Sequence, residues 1–135
     1  MARPMKMGAT AGLLPEFMRS VKEIAEAPSG WNWAESWRYN RVTYFHGEPF
    51  SGMNSQIDAM KEKFGSVAFG HTHQHAGVRH ITNDRGSFFG LNCGCLINPK
   101  AYAMRYGKRY KGSVTIGCGV VIDDNQAMFI PMRGA

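Results

Sequence analysis

The segment 41–70 constrains the fold most, because it sets two hydrophobic periods in a fixed order. Residues 41–46 (Arg-Val-Thr-Tyr-Phe-His) are β-branched and aromatic and stop at Gly47, which reads as a strand ending in His46. Residues 54–64 place Ile57, Met60 and Phe64 on one helical face, with Lys61 and Lys63 outside it. Residues 66–70 (Ser-Val-Ala-Phe-Gly) form a second, apolar strand. Strand, helix and strand in this order make a β-α-β unit, whose crossover is right-handed and whose strands run parallel and end on one edge of the sheet. In open sheets of this kind the ligand lies outside that carboxyl edge.

What stands at that edge is Gly70-His71-Thr72-His73-Gln74-His75, which holds three of the chain's five histidines. Neutral imidazole is the commonest metal ligand, and alternate residues of an extended strand share a face. Gly70 and Gly77 bracket the cluster and let the backbone turn where the strand ends. Metal binding is the first reading; a surface strand end that is merely rich in histidine is the alternative. Parallel strands bring His46 to the same edge, so His46, His71 and His73 become one constellation, although His46 taken alone reads more often as a structural histidine.

The rest of the chain supports a single domain. Residues 13–27 carry Leu14, Phe17, Met18, Val21 and Ile24 near helical spacing, with Pro15 in the first turn and Pro28-Ser29-Gly30 beyond the end. Residues 1–12 read as a flexible leader. Trp31, Trp33 and Trp37 are expected in a core or lid, capping a sheet edge or lining a groove. Residues 77–82 and 86–92 form a hairpin about Asn83-Asp84-Arg85-Gly86, and 113–122 with 127–131 form a closing hairpin over Asp123-Asp124-Asn125. Between them, Asn92-Cys93-Gly94-Cys95 is a glycine-bearing strand end. Residues 98–112 interleave Lys100, Arg105, Lys108, Arg109 and Lys111 with Tyr102, Tyr106 and Tyr110. Such a stretch binds nucleic acid by phosphate contact and base stacking, or is a solvated loop with snorkelling cations.

Composition narrows the partners and the compartment. A net charge of +6 favours anionic partners such as nucleic acid or nucleotides. Cys93, Cys95 and Cys118 make no disulfide framework, and Cys-x-Cys lacks the spacing that opens a structural zinc site, so buried reduced thiols are expected. No signal-type apolar core and no run near the ~20 apolar residues of a membrane span is present, and the chain reads as cytoplasmic.

A strand ending in His-Gly, a helix, an apolar strand ending in Gly-His-x-His, a hairpin and an Asn-x-Gly-Cys turn together resemble the C-terminal half of the calcineurin-like metallophosphoesterases. The likeness covers the chain from about Leu13 onward. It is closest to small single-domain members of phage type, in which Tyr-Phe-His-Gly and a late Gly-Cys-Gly-Val-Val strand recur. The resemblance implies an α/β (α+β) fold, namely half of an αββα sandwich spanning 13–135, with a mixed sheet, two main helices and C-terminal hairpins. It implies metal-dependent hydrolysis of a phosphomonoester or phosphodiester by metal-activated water, with His46 and His71 on one ion and His73 on another. The metal would be Mn, Zn, Fe or Ni, two ions if the site is completed in trans and otherwise one or none. Arg105, Lys108 and Arg109 are candidate phosphate contacts, and His75 is a further one, although neither His75 nor His80 matches a family role. The family's Asp-x-His, Gly-Asp and Gly-Asn-His-Asp/Glu elements do not occur, and the bridging carboxylate has no evident substitute, although Glu48 and Asp84 lie in loops near the expected site. The chain begins about where the third of those elements would end. A homo-oligomer, or a separate chain supplying the missing half, is therefore expected. The alternative is a non-catalytic metal-binding, nucleic-acid-binding or structural module derived from such an enzyme.

Overall fold

The computed structural model describes residues 21–97 and 114–132. The chain divides into two compact units, Met1–Glu35 and Ser36–Ala135. In the first, the described residues hold a short helix, α1 (Val21–Ile24), and the tilted ring pair Trp31 and Trp33, 6.5 Å between centroids. Residues 13–20 of the expected first helix lie outside the described residues. Trp31 and Trp33 are both exposed, which rules out the core half of the core-or-lid expectation for them.

The second unit is built on a mixed five-stranded sheet. Its strands are β1 (Ser36–Tyr39), β2 (Val42–Phe45), β3 (Ser66–Phe69), β4 (Gly77–Asn83) and β5 (Gly86–Asn92), in the spatial order β1-β2-β3-β5-β4. Strands β2, β3 and β5 run parallel, while β1 and β4 pair antiparallel at the two edges. The expected β-α-β unit is present, with α2 (Ser55–Lys63) as its crossover. The mixed α+β class is therefore the observed one.

Strand β3 is central and buried along its whole length, which is why it reads as an apolar run without alternation. Its side chains divide between two cores. Val67 and Phe69 join Phe50, Ala59 and Met60 on the face that α2 covers. Ala68 joins Val42, Phe89 and Leu91 on the opposite face, which is covered by the hairpin of β6 (Gly117–Ile122) and β7 (Gln126–Pro131) through Val121, Ala127 and Phe129. The layers are helix, mixed sheet and two-stranded sheet.

Helix α2 turns the expected face to the sheet, with Met60 in the core and Ile57 packed against it, and departs from expectation only at Phe64. Ser55, Gln56, Ala59 and Met60 are buried, whereas Phe64 is 82% exposed. Phe64 sits in the left-handed conformation as the C-terminal cap, with φ 51°, and this turns its side chain away from the helical face. The helix also approaches β5 closely at Gly90, where a Cβ would lie 2.8 Å from Gln56 Cβ and 2.9 Å from its carbonyl oxygen. Glycine at position 90 is what lets the helix backbone come this close to the strand.

The hairpin turns follow their residues. Arg85 N donates to Asn83 Oδ1 (2.9 Å) in an Asx turn, and Gly86 takes the positive φ. Asp123 and Asp124 adopt left-handed conformations between β6 and β7. Asn40 Nδ2 donates to Asp124 Oδ2 at 2.5 Å, pinning this turn to the β1–β2 connection. Trp37, on edge strand β1, is half exposed and is no core residue. Among the described residues, no helix is long and apolar enough to cross a membrane.

Candidate metal centre

The carboxyl ends of β2, β3 and β5 assemble the site. His46 immediately follows β2, and Gly47 lets the chain leave at once, with φ 99°. A Cβ on Gly47 would stand 2.5 Å from the Phe69 ring. Gly47→Ala is accordingly expected to cost about 1–3 kcal/mol through overpacking and backbone strain, read as a fall in the thermal midpoint.

After β3, Gly70 N donates to His46 O (3.2 Å), extending the parallel ladder by one step. His71 then takes φ 68°, and Thr72 N donates back to Gly70 O at 2.8 Å. This is a γ-turn of the positive-φ kind, a conformation that costs a residue bearing a Cβ about 1–3 kcal/mol and persists only where its surroundings hold it. Its result is the contact between the two rings. His71 Nδ1 lies 3.1 Å from His46 Nε2, with the ring planes at 78°. His46 is exposed and His71 half-buried.

The remaining loop is tied at several points. Asn92, fully buried at the end of β5, donates from Nδ2 to Thr72 Oγ1 and accepts from Gly94 N at 3.1 Å. Thr72 Oγ1 donates in turn to His75 O (3.3 Å). The His73 carbonyl accepts from Thr115 N (2.7 Å), and Thr115 Oγ1 donates to Gln74 O (2.9 Å). These anchors were not foreseen from sequence. An asparagine at the end of an apolar strand was the available signal, since a buried amide needs partners.

The structure brings His46 and His71 together. His73 and His75 follow in the same loop, and both are half-buried. Among the described residues, no group of three or more His, Cys, Asp or Glu side chains is placed to share an ion. Arg105, Lys108 and Arg109 lie outside the described residues. Asp84 sits in the β4–β5 turn, at the amino end of β5 and so on the edge opposite the histidines, whereas Glu48 lies two residues past His46 on the near edge. The chain matches no protein family, no curated protein and no solved structure.

Beside the histidines, on the hairpin side of the sheet, lies a cavity of about 410 Å³ lined by Tyr44, Ala68, Gly70, Leu91, Cys93 and Val121, among others. Burial pushes the Tyr44 hydroxyl up, and the nearby Asp124 carboxylate adds to this. Burial likewise raises the Cys93 thiol above its ordinary 9.0, partly opposed by a hydrogen bond from the Gly119 backbone. The cysteines are all free, but only partly as expected, since Cys118 is exposed and Cys93 and Cys95 are half-buried. A thiol whose folded pKa is raised favours the folded state while protonated. That contribution is fully present below the unfolded thiol's pKa and is lost as pH rises through the folded value. Urea midpoints are thus expected to decline above about pH 9, with a shallower decline in Cys93→Ser.

Proposed function

We propose that the chain is a metal-dependent phosphoesterase of the calcineurin-like kind, with His46 and His71 as ligands to one divalent ion. The supporting observation is the 3.1 Å separation of His46 Nε2 and His71 Nδ1 at the carboxyl edge of parallel strands. Two imidazole nitrogens bound to one tetrahedral ion at 2.0–2.1 Å stand about 3.3 Å apart, so the pair needs only a small adjustment to share an ion. His46 and His71 would supply two ligands of one ion; its remaining ligands, and those of a second ion with His73 among them, require donors beyond those placed together here. We assign those donors to carboxylates of a second polypeptide or a second copy of the chain, as half of an αββα sandwich would need. The order helix, sheet, two-stranded sheet suits that reading.

A bound divalent ion would acidify a coordinated water and offset phosphoryl charge. The chain's own part is to orient two nitrogens on one side of the site and to offer the neighbouring cavity to the organic portion of the ester. Arg105, Lys108 and Arg109, with His75, are assigned to phosphate or nucleic acid contact. Turnover of an aryl phosphodiester with manganese is the test. Activity lost in His71→Ala and His73→Ala supports this reading, and activity indifferent to both would sink it.

A second reading is favoured by the same contact, because the two rings already satisfy one another through a hydrogen bond. The chain is then a binding module derived from such an enzyme. One equivalent of metal bound without turnover would favour it.

A further inference from the structure

We infer that Asn92 is the positioning residue of the histidine pair, acting through the Thr72 hydroxyl to hold His71 in its γ-turn. Three observations carry this. The His71 backbone is in a conformation that a residue with a Cβ does not adopt unaided, with φ 68° and the Thr72 N to Gly70 O bond across it. Upstream the turn is fixed by the parallel ladder, through Gly70 N on His46 O at 3.2 Å. Downstream the fixed point is the Thr72 side chain, which accepts from Asn92 Nδ2 and donates to His75 O.

Asn92 is suited to this because both ends of its amide are committed. The residue is fully buried, its Oδ1 accepts from Gly94 N, and its Nδ2 has Thr72 Oγ1 as acceptor. A buried amide bonded at both ends has one orientation, and it passes that orientation to the hydroxyl. Strand β5 thereby sets the direction of a ring carried by the loop after β3. The sheet carries two neighbouring strand ends into register, and the third supplies the brace. Outer residues that orient ligand side chains in this way typically change metal affinity 10–100-fold when removed.

The metal half of this inference rests on the proposed function, so the test reads two quantities. Thr72→Val removes the hydroxyl at nearly constant shape, and Thr72→Ser keeps it. Zinc titration of the full chain is expected to show affinity reduced at least ~10-fold in Thr72→Val and close to wild type in Thr72→Ser, with equal far-UV circular dichroism. Independently of metal, the ring nitrogen resonances of His46 and His71 report their mutual hydrogen bond. They are expected to move toward free-imidazole values in Thr72→Val and to stay in place in Thr72→Ser. Asn92→Ala should reproduce the Thr72→Val shift wherever it folds. If the wild-type chain takes up no zinc, the metal reading falls and the ring resonances decide the positioning role by themselves. Ring resonances in Thr72→Val that match the wild type would overturn the inference, whatever the zinc result.

Discussion

Phe89→Ala is expected to lower the unfolding free energy by about 3–5 kcal/mol, while Phe64→Ala changes it by less than about 0.5 kcal/mol. Both are phenylalanines beside apolar periodicity, yet Phe89 is 2% exposed and Phe64 is 82% exposed. Phe89, on β5, lies on the sheet face that the β6–β7 hairpin covers, in the core shared with Val42, Ala68 and Leu91. Truncating it leaves a void that backbone on both sides holds open, so transfer and cavity costs add. Urea denaturation of the two variants measures the difference. A cost at Phe64 comparable to that at Phe89 would contradict the left-handed cap.

The second large effect separates binding from stability at one residue. His71→Gly and His71→Ala both remove the ring, and each is expected to lose more divalent-metal affinity than the ~10–100-fold that loss of an outer brace costs. Their stabilities should differ in a fixed direction. At φ 68° glycine is unstrained and alanine is not, so His71→Gly should be more stable than His71→Ala by about 1 kcal/mol. Isothermal titration with zinc and thermal unfolding read the two quantities. Equal stability of the variants would mean that the turn relaxes without its histidine.

Much of this was legible in the residues. The β-branched and aromatic run before His46, the helical period after Asn54 and the apolar run before Gly70 specify the β-α-β unit, and the parallel geometry then places His46 and His71 at one edge. Asn83-Asp84-Arg85-Gly86 announces its hairpin because each residue type has a distinct role in the turn. Other features depend on contacts between distant segments and carry no local signature. Periodicity placed Ile57 and Met60 on the face that α2 turns to the core, but it also selected Phe64, which the left-handed cap turns out to solvent. The exposure of Trp31, Trp33 and Trp37 depends on which elements cover them, which aromatic density does not encode. The positive φ of His71 was invisible because histidine gives no warning of it, as glycine would. Asn92 looked like a strand end, and its role is evident only once Thr72 lies against it.

The central claim is that His46 and His71 are two ligands of one ion. Titrating the chain with zinc while following the ring resonances of its five histidines tests it most directly. The expected result is that His46 and His71 shift together and saturate at one equivalent, with His80, on the exposed edge strand β4, unmoved. Saturable shifts at other histidines with the His46–His71 pair undisturbed, or no saturable shift at all, would contradict it.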